Sequence, residues 1–170
     1  MENEEYSLTA DDVCDGYPTI YAWALSCVDN SLRKLYRNRL MDWARLAPAE
    51  FFKLFLKFSN VNDPQILSDL FSILMCLVYD GAEPELTGAI SGWITQNILH
   101  PDKIESNRNV AVRYYAIAIL HKAIHMGLLS RDEASTFLPP YRGNGNTISL
   151  NKDALKGTRM GGYSAIDYDL

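Results

Sequence analysis

Residues 60–81, "NVNDPQILSDLFSILMCLVYDG", decide the fold class. Asp63 is placed to cap a helix, Pro64 suits the first helical position because its missing N–H would be unpaired there anyway, and Gly81 supplies a C-terminal stop. Between them the apolar residues fall on two adjacent stripes. Ile66, Leu70, Ile73 and Leu77 form one, and Leu67, Phe71, Leu74 and Val78 the other. A helix apolar around so much of its girth must be covered on two sides, so the stretch predicts a central helix.

The flanking sequence supplies the covering elements. Upstream, residues 29–58 open with Asp29, Asn30 and Ser31 as candidate caps and continue with Leu32, Leu35, Tyr36, Leu40 and Trp43 at steps of three and four. The other face of that helix carries Arg33, Lys34, Arg37, Asn38 and Arg39. Pro48 then restarts the chain as a second helix bearing Phe51, Phe52, Leu54, Phe55, Leu56 and Phe58, which makes a helical hairpin. Downstream, "EPELTGAISGWITQNIL" (83–99) is the expected antiparallel partner of the central helix, with Gly88, Ala89 and Gly92 allowing close approach. "ESNRNVAVRYYAIAILHKAIHMG" (105–127) predicts a further long helix, with Val110, Tyr114, Ile117 and Ile124 on one stripe, Tyr115 and Ile119 on a second, and Gly127 as its stop. Ser130 and Glu133 have the spacing of a capping box on a short fifth element that Pro139 and Pro140 end.

Five or more helices with short links predict an all-α fold. Successive hairpins of similar length suggest stacked antiparallel helix pairs, a HEAT-like α-solenoid segment, with a compact irregular helical bundle as the second choice because no repeat is strict. Residues 1–139 form the expected helical-repeat domain. Periodicity is lost from Tyr141, where half of the glycines lie, and 140–170 is expected to be an irregular segment, a mobile tail or loop with at most a short strand around 148–150.

The 170 residues suffice for one domain with a real core, and 48% of them are hydrophobic. A net charge of −5 opposes a surface built mainly for phosphate backbones, so nucleic acid is not the expected partner. No apolar run is longer than 73–79, which is far short of the roughly 20 residues that span a bilayer, and the acidic N-terminus lacks the features of a signal peptide. A cytoplasmic protein without membrane partners is expected. Cys14, Cys27 and Cys76 are odd in number and widely spaced, which suggests no disulfide framework, and the last two sit in helix-like patterns as small hydrophobes.

Candidate chemical motifs are weak. His121 and His125 lie one helical turn apart, but no glutamate follows the first and no third ligand is evident. "GNGNT" and "GTRMGG" lack the lysine followed by Ser or Thr that a phosphate loop needs. Asp11, Asp12 and Asp15 lack the glycine and distal glutamate of a calcium loop. No nucleophile elbow holds a serine. No catalytic residue, cofactor or metal site is therefore assigned. The basic face Arg33, Lys34, Arg37 and Arg39 fits a solvated helix surface, or contact with an acidic partner.

Four ordered segments over about residues 20–170 resemble the helical-repeat region of large bacterial STAND-type NTPases, several of which act in anti-phage defence. They are Trp23 followed by Asn30, Leu32 and Arg33; Asn62, Asp63 and Pro64 before the long apolar helix; the Arg113 and Tyr114 helix; and "RMGGYSAIDYDL" (159–170). Gln65 stands where that family tends to carry an aromatic residue, and Asp69 lies near the place of its usual arginine. The resemblance implies a non-catalytic sensor or scaffold module whose partners are protein, either the rest of a parent chain or other protomers. In that family the last segment runs on into another helix, so 157–170 is expected to lead to one that is missing. Arg159, Tyr163, Asp167, Tyr168 and Asp169 become candidate interaction residues rather than a site. The alternatives are a freestanding helical adaptor or regulator, and an enzyme in its own right.

Overall fold

The computed structural model describes residues 16–104 and 109–139. Its helices are α1 (Tyr17–Ala24), α2 (Asn30–Leu46), α3 (Pro48–Phe58), α4 (Pro64–Tyr79), α5 (Pro84–Asn97), α6 (Pro101–Ile104), α7 (Val110–His125) and α8 (Arg131–Ala134). No strand occurs among the described residues, and the fold class is all-α as expected. No described helix is long and apolar enough to cross a membrane. The strand or tail around 148–150 lies outside the described residues.

The caps read from the sequence form as expected. Asp29 accepts from the backbone N–H groups of Ser31 and Leu32, and Asp63 from those of Gln65 and Ile66, each relieving donors that the first helical turn leaves unpaired. Gly81 and Gly127 both take positive φ, 101° and 75°, and close their helices by returning the next N–H to a carbonyl five residues back: Ala82 to Leu77 at 3.0 Å and Leu128 to Ala123 at 2.9 Å. Ser130 and Glu133 make the full capping box on α8. That helix stops at Ala134, well before Pro139. Neither α6 nor the Asn109 cap of α7 was visible in the sequence pattern.

The centre of the core is α4, as its two stripes require. Ile66, Leu70, Phe71, Ile73, Leu74, Leu77 and Val78 are all buried. It packs extensively on α2 and on α7, which share no comparable contact with each other. Both neighbours run in the same direction as α4. Arg33 and Arg37 at the start of α2 meet Asp69 near the start of α4, and Arg45 near the end of α2 meets Asp80 just past the end of α4. Likewise Asn109, capping α7, donates to Pro64 O at 3.1 Å and Ser68 Oγ at 3.1 Å, whereas Tyr79 at the far end donates to Ala118 O and lies beneath Lys122. Thus α2, α4 and α7 all begin at one edge.

Four expectations need correction. The principal partner of α4 is α7 rather than α5, whose Trp93 reaches Phe71 at 6.3 Å and Phe55 of α3 at 5.0 Å. Ala116 and Ala123 are among the residues that α7 buries. Gly88 and Gly92 mediate no close approach, because a methyl group built on either meets nothing within 4 Å. The buried stripe of α7 is Val112, Ala116, Ile119, Leu120 and Ala123, while Val110 and Tyr114 are exposed; Leu32 and Leu35 of α2 are likewise about half exposed. Cys27 sits in the α1–α2 link rather than a helix, and both it and Cys76 are free and only partly buried.

Opposite effects are expected at the glycines. Gly88→Ala and Gly92→Ala should each raise unfolding free energy by up to about 1 kcal/mol, since helix propensity improves without a clash. Gly127→Ala should lower it by about 1–2 kcal/mol, because an L side chain is strained at positive φ. Urea unfolding of the three variants checks both signs; a Gly88 variant less stable than the parent would contradict the open surface. The hydrogen bonds from the Ser130 hydroxyl and backbone N–H hold the Glu133 carboxyl below its ordinary pKa. A depressed folded value means that the cap contributes at neutral pH and is lost as pH falls through that value. The Ser130 amide proton should lose its downfield NMR shift over that acid range, and should stay indifferent to pH in Glu133→Gln.

Candidate functional site

The edge where the helices begin holds an open cleft of about 320 Å³ between α2 and α4, lined by Asn30, Arg33, Lys34, Arg37, Gln65 and Asp69. Helical spacing puts these side chains there. Arg33, Lys34 and Arg37 occupy the first two turns of α2 at steps of one and four, and Gln65 and Asp69 are one turn apart at the start of α4. Because the two helices run the same way, their first turns adjoin, and the basic face of one looks onto the lone acid of the other.

Asp69 is the only buried charged residue among those described, with its side chain 8% exposed. A carboxylate removed from water needs donors and opposite charge. Gln65 Nε2 donates to Asp69 Oδ2 at 3.0 Å. Arg37 Nη1 stands 3.5 Å from Oδ1, and Arg33 Nε 3.9 Å from Oδ2. Both distances exceed the roughly 2.7–2.9 Å of a charge-assisted hydrogen bond, so the arginines neutralise Asp69 without closing on it. At the other end of the same helix pair the contrast is plain. There Arg45 donates through Nε at 3.0 Å and Nη2 at 2.9 Å to a single oxygen of Asp80.

The lining contains no serine, cysteine or histidine. What it offers is recognition through charge and hydrogen bonds, with three cations set against one carboxylate. Of the basic face read from the sequence, Arg33, Lys34 and Arg37 line the cleft and Arg39 does not. The contribution of Gln65 and Asp69 was not foreseen, although a single aspartate within an apolar helix was the available signal.

The remaining candidates do not assemble. His121 and His125 are both exposed, and among the described residues no group of three or more His, Cys, Asp or Glu is placed to hold a metal. Asp11, Asp12, Asp15 and both glycine-rich segments lie outside the described residues. So do Arg159, Tyr163, Asp167, Tyr168 and Asp169.

Removing both cations should expose the cost of burying Asp69. The double variant Arg33→Ala with Arg37→Ala is expected to lose about 2–4 kcal/mol of stability, and adding Asp69→Asn should recover most of it, because the buried charge then disappears. Urea midpoints for the single, double and triple variants give the coupling directly; additive losses would show that the three groups do not act as a unit. No protein-family model, curated protein or solved structure matches the chain, so the cleft is defined by its own geometry.

Proposed function

We propose that the chain is a non-catalytic sensor or scaffold module, built of stacked antiparallel HEAT-like helix pairs, from a larger bacterial NTPase of the STAND type acting in defence or signalling. The observation that carries the stacked arrangement is the direction of the helices around α4. In an up-down bundle joined by short loops, nearest neighbours run antiparallel. Here the two principal neighbours of the central helix run parallel to it, 35 residues earlier for the Arg45–Asp80 pair and 41 residues later for Ser68 with Asn109. Successive helix pairs laid side by side produce this relation.

A module of this kind works by presenting surface. Its partners are protein, either the rest of a parent chain or other protomers, in the cytoplasm. Contacts at the end of the array are favoured by α1, where Tyr17, Ile20 and Trp23 recur every third residue and are 74%, 59% and 53% exposed. The same face also suits a second reading, a freestanding helical adaptor or regulator that acts through protein–protein contact.

The coding frame separates the two. Sequencing the locus on both sides should find a phosphate-loop motif upstream in the same frame and further helical sequence after Leu170. A start codon at Met1 with a stop directly after Leu170 would sink the module and leave the adaptor.

A further inference from the structure

We propose that the cleft between the first turns of α2 and α4 is a binding site for a compact polyanion, the phosphoryl or pyrophosphoryl group of a small ligand, held by Arg33, Lys34 and Arg37. The donors of this cleft are unspent. Among the described residues the two guanidinium groups, 3.9 and 3.5 Å from Asp69, form no hydrogen bond, and Lys34 has neither a hydrogen bond nor an ion pair. Arg45, on the same helix, shows that an arginine of α2 can close fully on an acid beyond α4. The open arrangement at the other end therefore leaves N–H groups for a second acceptor.

Asp69 acts as a positioning residue. Fixed by Gln65 and 8% exposed, it draws both guanidinium groups toward one point and keeps them from spreading into solvent, while its single charge is too small to cancel three cations. Planar guanidinium forks suit phosphoryl oxygens, and a lysine adds a point charge. The first turns of two parallel helices add positive potential at the same edge, although Asp29 and Asp63 consume part of it as caps.

The lining also limits the ligand. It contains no aromatic or aliphatic residue, so a nucleobase or acyl chain has nothing to stack on within the cleft, and about 320 Å³ lies at the small end of ligand sites of roughly 300–1,000 Å³. A phosphoryl group fits; the remainder of any larger ligand would lie outside. This deepens the recognition role proposed above and depends on that role only for its biological purpose.

The test is calorimetric titration of the full 170-residue chain with pyrophosphate and, separately, inorganic phosphate, at low and moderate salt. Saturable one-to-one binding of pyrophosphate is expected, with Arg37→Gln weakening it at least about tenfold and Lys34→Gln by about threefold or more. Lys34 has no hydrogen bond or ion pair to lose among the described residues, so its substitution tests the site without threatening the fold. Arg39→Gln removes the same charge from the same helix outside the cleft and should change affinity by less than about twofold. Equal weakening by Arg39→Gln and Lys34→Gln would reassign the effect to a diffuse helix-face charge and overturn the site. So would the absence of saturable binding by either probe. Neither result bears on the coding frame, and a frame without a phosphate loop would leave a measured anion site intact.

Discussion

A helix apolar on two adjacent stripes cannot stand in water, and the described structure is organised around meeting that demand for α4. Ile66, Leu70, Ile73 and Leu77 need one cover, and Phe71, Leu74 and Val78 another. Covering two sides requires neighbours that do not compete for the same face. The solution is α2 on one side and α7 on the other, with α3 and α5 meeting the same core through Phe55 and Trp93. Phe55 is edge-on to both Phe71 and Trp93 at 5.0 Å, and aromatic pairs of this geometry contribute about 0.5–1.5 kcal/mol each beyond area burial.

Parallel neighbours have an electrostatic consequence. In an antiparallel pair the positive start of one helix adjoins the negative end of the other; here the starts adjoin. An acid on α4 near that edge is favourable, and Asp69 occupies it, within reach of two arginines from α2. The direction of the helices thus explains why the buried charge lies in the second turn of α4. Gln65 and Asp69 are the two residues that α4 contributes to the cleft.

Local features were legible in the sequence because their causes are local. Asp63 followed by Pro64, the glycines at 81 and 127, and the Ser130–Glu133 spacing each specify one turn of backbone, and each forms as read. Pairing was less legible. The choice of α7 over α5 as the close partner of α4 depends on tertiary packing, which no single-helix pattern contains. Gly88 and Gly92 resembled a packing surface but face open space, since small residues permit approach without requiring it. Val110 and Tyr114 misled for a related reason: an apolar residue at helical spacing marks a candidate face, and the neighbour decides which face is buried. The cleft was half visible. Its cations share one helix and could be read as a face, whereas Asp69 reaches them only through folding.

The parallel relation holds across links of unequal length. Around α4 the step between helices running in the same direction is 35 residues for Arg45–Asp80, but 39 for Tyr79–Ala118 and 41 for Ser68–Asn109. The longer step contains α6 and the chain before α7, a link that the shorter step lacks. The parallel relation is therefore fixed by cap position and buried face, while link length varies. Asn109 shows how alignment survives the variable link: by capping α7 and also donating to Pro64 O and Ser68 Oγ, it sets the start of α7 against the start of α4 regardless of how much chain lies between. A side chain that closes one helix and bonds to the backbone of its neighbour sets the register of two parallel helices whatever the length of the link between them.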